Sequence, residues 1–152
     1  MIIDSHTHIL PPDISSNFQL YSEKDSTLKT LFPEEKKSKF STAEELISSM
    51  NSNNINLAFV LGMGWTDPDL NHHVNNYILS AAKKYPDRII PFTGINPSAG
   101  KVGYKEADRC IASGAAGFGE VHSYQQNFSI SDKNAMSPFM KFSNEFFYYE
   151  KC

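Results

Sequence analysis

Short apolar runs alternate along this chain with longer segments in which apolar residues recur every three or four positions. The first pattern is typical of buried strands and the second of helices that pack on one side, so the alternation predicts βα units with a parallel sheet. Four such units are expected, with strands over residues 2–5, 57–61, 89–94 and 116–121. The predicted fold class is therefore α/β.

Capping residues mark where three of the predicted helices begin or end. Thr42 precedes Glu45 by three positions, which is a capping-box spacing, and Asp67 stands before Pro68 at the start of the next helical segment. Gly114 follows a helix predicted over about residues 104–113, where a glycine favours termination. A fourth helix is predicted from an apolar face made of Met136, Phe139, Met140 and Phe146.

The segment between the first strand and the first of these helices is long, polar and punctuated by prolines. A connection of this length, at about residues 10–40, is expected to be a lid or insertion with a short helix, within one domain over residues 1–152. Near the other end, residues 146–149 are four consecutive aromatics. One side of a helix cannot easily bury all four, so some of them are expected to seek a partner.

Composition and charge restrict the possible functions. The chain has 14 Lys and Arg against 17 Asp and Glu, with no run of like charges, which argues against a nucleic-acid-binding protein. No apolar stretch approaches the roughly 18 residues that a membrane span needs. Cys110 and Cys152 are too few for a disulfide framework. Because a histidine motif begins at residue 6, we expect no signal peptide and a cytoplasmic protein.

The candidate chemistry begins with His6 and His8 at the end of the first strand. Residues two apart on a strand point to the same face, so the two imidazoles are suited to share a divalent ion. Asp4 has the same parity and is expected to orient one imidazole through a ring N–H. A bare pair of this spacing is common by chance, but the carboxyl end of a buried strand is where α/β enzymes place their sites.

Three further residues are candidates near the same edge of the sheet. Glu120 closes the fourth strand and would complete or bridge a metal site; capping of the next turn is the alternative role. His122 shares the parity of Glu120 and is either a ligand, a substrate contact or a residue without function. Trp65 follows the second strand, where it forms a pocket wall or simply packs. No residue fits the role of catalytic base convincingly.

Three segments carry a resemblance to a known family. They are residues 1–8 (MIIDSHTH), residues 85–92 (YPDRIIPF) followed by Ile95, Asn96 and Pro97, and residues 117–122 (GFGEVH) followed by Gln126 and Phe128. Together they resemble the amidohydrolase-related (amidohydrolase 2) family of metal-dependent hydrolases. The resemblance implies a TIM barrel, a small-molecule substrate and one or two divalent ions, zinc or manganese. By position, His6 and His8 match first-strand metal ligands, and Glu120 matches a fourth-strand carboxylate of some members.

The sequence also departs from this family. Members continue to histidines after strands five and six and an aspartate after strand eight, whereas this sequence has 152 residues and a TIM barrel typically needs about 250. We therefore expect the N-terminal half of such a barrel, about four βα units, from a truncated or frameshifted gene or a cut fragment. Its first and last strands would be open edges, which favour a homo-oligomer.

Two functions are compatible with this pattern. The first is a metal-dependent hydrolase or decarboxylase, incomplete in this chain, with His6, His8 and Glu120 as metal ligands and His122 and Trp65 as substrate contacts. The alternative is a non-catalytic remnant or half-barrel that acts only through association with another chain. Binding of a divalent ion distinguishes the two.

Overall fold

Four strands form one parallel sheet in the order β1-β2-β3-β4. The computed structural model describes residues 1–33 and 40–148. The strands are β1 Ile3–Thr7, β2 Leu57–Leu61, β3 Ile89–Thr93 and β4 Gly117–Phe118. Each strand pairs with the next one along the chain, so the four predicted parallel βα units are confirmed.

Helices connect these strands. Those of the described residues are α1 Pro12–Ser16, α2 Phe18–Lys24, α3 Ser26–Leu31, α4 Ala43–Ser52, α5 Pro68–Lys84, α6 Lys101–Ala112 and α7 Lys133–Tyr148, with a 3₁₀-helix at Pro97–Ala99. The predicted capping box is present at Thr42 and Glu45. Asp67 caps α5 as predicted, since its carboxylate accepts a hydrogen bond from the backbone N–H of Leu70.

The first and last strands differ in length from the prediction. β1 continues through Thr7, which places His6 inside the strand. β4 ends after Phe118. The N–H of Gly119 still donates to the carbonyl of Thr93 in β3 (3.1 Å), but the N–H of Glu120 donates to Gly62, just beyond β2. The backbone therefore leaves the edge of the sheet and crosses the end of β3.

The long segment after β1 forms α1, α2 and α3 where a single short helix was expected. The buried carboxylate of Asp25 fastens it to the sheet, because it accepts hydrogen bonds from the Thr66 hydroxyl (3.0 Å) and the Asp67 N–H (2.7 Å). Both of those residues follow β2, so the segment is attached near the carboxyl ends of the strands. Residues 34–39 lie outside the described residues, and a lid over 10–40 stays a prediction.

Helices cover one face of the sheet. Val60 of β2 and Ile89 of β3 are buried on this face in a core cluster that includes Val74 and Ile78 of α5. A second cluster lies where α7 meets α6, with Phe142 packed near Tyr104 and Phe118. No helix in the described part of the chain has the length and apolar composition that a membrane crossing requires. The predicted partner of the aromatic run 146–149 lies outside the side chains that are described.

The opposite face of the sheet is less covered. Its residues alternate in sequence with the buried ones, and they are only partly buried. Phe59 of β2 and Phe92 of β3 belong to it, with ring centroids 5.7 Å apart in an edge-to-face arrangement. In the described residues, therefore, the sheet has a helix-covered side and an apolar side without a second layer.

Candidate metal centre

An irregularity in β1 decides which of its side chains lie on the open face. Asp4 pairs with Ala58 and Thr7 pairs with Val60, so two residues of β1 oppose one residue of β2 between these pairs. Asp4 and Thr7 consequently share the helix-covered face. His6 and His8 flank Thr7 and lie on the other face.

The expected contact between Asp4 and an imidazole ring is wrong for the same reason. The extra residue in β1 reverses the parity between Asp4 and the two histidines. Asp4 reaches His6 only through the main chain, where its Oδ1 accepts a hydrogen bond from the His6 N–H at 3.2 Å. The group that orients an imidazole is a backbone carbonyl instead.

That carbonyl belongs to Leu61, the last residue of β2. It lies 2.9 Å from Nδ1 of His8, and because a carbonyl can only accept, Nδ1 carries the proton. In the neutral ring Nε2 then has a free lone pair, which is the state that a metal ligand needs. Nε2 of His8 lies 3.0 Å from Nε2 of His6, so the two ligand atoms face each other.

Glu120 reaches these histidines from the far side of the sheet. In a flat sheet, the ends of β1 and β4 would be about 14 Å apart across three strand spacings. The backbone crossing after Phe118 closes this gap, because the Glu120 N–H is held by Gly62 at the end of β2. Its Oε1 lies 3.0 Å from Nε2 of His6 and its Oε2 lies 3.8 Å from Nε2 of His8.

His122 also lies beside the carboxylate of Glu120. Its Nε2 is buried and lies 3.4 Å from Oε2 of Glu120, yet it has no hydrogen-bond partner among the described residues. Gln126 positions this histidine: its Oε1 accepts from the His122 N–H at 3.2 Å, and its Nε2 donates to the Ile95 carbonyl at 2.7 Å. The role of Gln126 was not expected from the sequence, in which this residue belongs only to the segment that resembles the family.

The arrangement fits a divalent cation. Ligand atoms of His6, His8 and Glu120 all lie within 4.8 Å of one another. Two neutral imidazole nitrogens and a carboxylate are the donor set that zinc accepts, and about 3.4 Å separates ligand atoms around a tetrahedral ion with bonds of about 2.1 Å. The observed separations of 3.0 and 3.8 Å bracket that value. His6 is 54% exposed, so the cluster is open to a further ligand.

Trp65 occupies a different environment. It is 1% exposed and belongs to the main core cluster with Ile9 and Leu10. Its indole N–H is buried without a partner among the described residues. A direct contact with substrate, which the sequence analysis considered, therefore stays a prediction, and the position is that of a packing residue.

A second histidine and carboxylate cluster lies between α5 and α6. Glu106 is bound by the guanidinium of Arg109 (2.6 and 2.9 Å), the amide of Asn75 (3.0 Å) and Nδ1 of His72 (2.9 Å). Burial raises the pKa of Glu106, but these hydrogen bonds outweigh it and lower the pKa to about 2. Asn75 also binds the main chain of Gly94, so this cluster supports the loop after β3.

No protein-family model matches the sequence, and no curated protein matches it. Solved structures do match. A 5-carboxyvanillate decarboxylase from Novosphingobium aromaticivorans, crystallised with manganese, is 19% identical, with a TM-score of 0.73 over 96% of this chain and 48% of that one. A 2,6-dihydroxybenzoate decarboxylase from Rhizobium (10% identical, TM-score 0.62) is matched over 94% of this chain and 46% of its own.

A third structure extends the comparison to another reaction. The 4-oxalomesaconate hydratase from Rhodopseudomonas palustris is 17% identical, with a TM-score of 0.60 over 96% of this chain and 50% of that one. At these identities the likeness is one of fold, and it confirms the predicted half of a TIM-type barrel. This chain spans about half the length of the structures it matches. Others among them are described as amidohydrolases, the family that the sequence resembles.

Proposed function

We propose that this chain carries the divalent-metal centre of a metal-dependent hydrolase or decarboxylase that acts on a small molecule. The observation that supports the proposal most is the meeting of His6, His8 and Glu120, which lie at or just beyond the ends of the two edge strands, β1 and β4. Nothing in sheet geometry alone brings β1 and β4 side chains within 3–4 Å of one another. The backbone crossing before Glu120 is what does so.

In this proposal, His6, His8 and Glu120 hold one ion, zinc or manganese. Manganese in the similar decarboxylase supports that choice. A bound divalent ion would supply Lewis acidity, either to activate water or to polarise a carbonyl. In the neutral ring of His8, the Leu61 carbonyl favours the tautomer with Nε2 free, and that nitrogen is the proposed ligand atom. The carboxylate offsets part of the positive charge of the ion.

We assign substrate binding to His122. Its Nε2 lies 3.4 Å from Oε2 of Glu120, which brings this ring to the edge of the candidate metal centre. Gln126 fixes the main chain on which this ring is carried. None of the described residues is assigned as the general base.

The proposal is tested by metal binding to the purified protein, measured by calorimetry with Mn²⁺ and Zn²⁺ after treatment with chelator. One ion per chain is expected. His6→Ala should weaken binding at least about 100-fold, since even partners behind a ligand are worth 10–100-fold. His72→Ala is the matched control, because His72 is similarly exposed (50%) and also contacts a glutamate. Equal binding by both variants, or well under one ion per chain, would contradict the proposal.

A second candidate is a half-barrel without turnover that functions through association with another polypeptide. It is favoured by the sheet itself, in which β1 and β4 each have one neighbouring strand within the described residues. Besides metal binding, turnover distinguishes the two candidates. A metal-loaded protein that converts no member of a panel of carboxylated aromatic compounds and esters, alone or as an assembly, would support the second candidate.

A further inference from the structure

Two asparagines of α5 bind the main chain of Gly94, the first residue after β3. Both side chains are almost completely buried. The amide group of Asn75 accepts a hydrogen bond from the Gly94 N–H (2.9 Å) and donates one to the Gly94 carbonyl (3.0 Å). Asn71 donates a second hydrogen bond to the same carbonyl, at 3.1 Å. Both polar groups of this glycine are therefore fixed by one helix.

Gly94 lies directly against the residues that follow β2. A Cβ atom on Gly62 would collide with the backbone N and Cα atoms of Gly94. A Cβ atom on Gly94 would in turn lie 2.8 Å from the backbone N of Gly64. Only residues without a Cβ allow such a close approach of main chains. The ends of β2 and β3 thus form one tightly packed contact, called here the glycine junction (Gly62, Gly64 and Gly94).

Two of the proposed metal ligands are attached to this junction. The Gly62 carbonyl accepts the hydrogen bond of the Glu120 N–H. A Cβ atom on Gly64 would lie 2.7 Å from the Glu120 carbonyl oxygen, so Glu120 also packs on this glycine. Leu61, next to Gly62 in the chain, supplies the carbonyl that lies 2.9 Å from Nδ1 of His8. The positions of both ligands therefore depend on where the junction lies.

We propose that Asn75, assisted by Asn71, is a positioning residue for the candidate metal centre. By fixing Gly94, the two amides hold Gly62 where its carbonyl binds the Glu120 N–H. This inference rests on the metal centre proposed above and extends it to residues that touch no ligand atom. Partners behind metal ligands orient them, and their loss lowers metal affinity by about 10–100-fold. Here the partners act through the main chain instead of through an imidazole ring.

Glu106 lies behind Asn75, but the junction does not depend on its charge. Its Oε1 accepts a hydrogen bond from the Asn75 amide at 3.0 Å. Glu106→Gln keeps a side-chain oxygen that can accept this hydrogen bond, so Asn75 should stay bound to Gly94. Asn75→Ala, by contrast, removes both of its hydrogen bonds to Gly94. The two substitutions therefore separate the junction from the ion pair.

The test compares Asn75→Ala with Val74→Ala, a matched control from the neighbouring position of α5. Val74 is buried in the main core cluster, so its truncation destabilises the fold without removing a hydrogen bond to Gly94. Calorimetry with Mn²⁺, under conditions where both variants are folded, should give an affinity about 10–100-fold lower for Asn75→Ala. The affinity of Val74→Ala should equal that of the wild type.

Hydrogen exchange of the metal-free protein, followed by NMR, supplies a second readout that needs no ion. The Glu120 N–H is compared with the Ala58 N–H, which donates to the Arg88 carbonyl (2.9 Å) near the amino end of β2. A loss of overall stability accelerates the exchange of both, whereas a loosened junction accelerates Glu120 selectively. The ratio of the Glu120 rate to the Ala58 rate should rise at least about tenfold in Asn75→Ala and should not rise in Val74→Ala.

Asn71→Ala keeps the test decisive if Asn75→Ala does not fold. It removes one of the three hydrogen bonds to Gly94, so the same changes are expected at smaller size. An exchange ratio that is no higher in the asparagine variants than in Val74→Ala would overturn the proposal. Equal Mn²⁺ affinities, with a wild type that binds one ion, would overturn it too. A wild type that binds no ion would contradict the metal centre itself, and the exchange ratio would still decide whether the asparagines position Glu120.

Discussion

Two clusters in this molecule join a glutamate to histidine, and they differ in how completely the carboxylate is hydrogen-bonded. Glu106 receives donors from a guanidinium, an amide and one imidazole. Glu120 meets only imidazole nitrogens, at 3.0–3.8 Å, within the described residues. One of these, Nε2 of His122, is buried without a partner.

The difference separates a structural role for Glu106 from the metal-binding role proposed for Glu120. Glu106 has its acceptors filled by protein donors, which is why its pKa falls to about 2 in spite of burial. Its negative charge stabilises the packing of α5 on α6 near Gly94. At Glu120 the nearby Nε2 of His8 is a further acceptor, and lone pairs that face each other are stable only when they share a proton or a cation. The same residue types therefore occupy two different environments.

The largest expected effect concerns metal affinity, which should depend on one glutamate and not the other. Glu120→Gln removes the only anionic ligand and should weaken Mn²⁺ binding at least about 100-fold, more than the loss of a residue behind the ligands. Glu106→Gln should bind Mn²⁺ as the wild type does. Calorimetric titration of both variants measures this, and a loss of affinity in the second would erase the distinction between the clusters.

Stability should respond in the opposite way. Glu106→Gln leaves Arg109 without its carboxylate partner and should lower the free energy of unfolding by about 2–3 kcal/mol, as for a mostly buried ion pair that loses one member. Glu120→Gln relieves crowding of acceptors and should change the metal-free protein by less than about 0.5 kcal/mol. Urea denaturation of the metal-free proteins compares them. A similar loss in both would mean that Glu120 too is structural.

Acid should reveal the same contrast. The pKa of Glu106 is lowered in the folded state, so its contribution to stability is complete above its ordinary value of 4.5 and is lost as the pH falls toward about 2. The stability gap between wild type and Glu106→Gln should therefore narrow over that range. Urea midpoints at several acidic pH values test this prediction, which fails if the gap stays constant.

The smallest expected effect concerns the support of His122. Gln126 is buried and bridges His122 to the loop after β3, so Gln126→Ala should cost about 1–2 kcal/mol of stability by leaving the Ile95 carbonyl and the His122 N–H unpaired. Metal affinity should fall by less than tenfold, because His122 is not counted among the three ligands. A loss as large as that of Glu120→Gln would make His122 a ligand.

Sequence patterns predicted the parts of this structure that depend on local periodicity. The strands, the caps at Thr42 and Asp67 and the shared face of His6 and His8 follow from spacing alone. The prediction for Asp4 was wrong because one extra residue in β1 puts Asp4 and the two histidines on opposite faces of the sheet. A strand of about four residues is too short for its apolar pattern to reveal such a bulge. The sequence predicted only that Glu120 and His6 lie at the same edge of the sheet. Their direct contact depends on the backbone crossing after Phe118, which a hydrogen bond to Gly62 holds in place.

The polar networks were the least predictable part. Asn75 and Glu106 look like ordinary polar residues of solvent-facing helix surfaces, and their meeting depends on how α5 and α6 pack. Asp25 is similar: a carboxylate in a proline-punctuated segment gives no sign that it is buried against the loop after β2. Such contacts join residues that are distant in sequence, so neither periodicity nor capping rules predict them.

The hydrogen bond between Glu120 and Gly62 has a practical consequence for redesign. It ties the backbone of Glu120 to the end of β2, upstream of the connection to α7. We expect that residues 127–132 of that connection can be exchanged for loops of other lengths and chemistry while His6, His8 and Glu120 keep their geometry. Because the site and this connection are separate, the protein is suitable for loop grafting. A grafted loop should begin after Gln126, which positions His122.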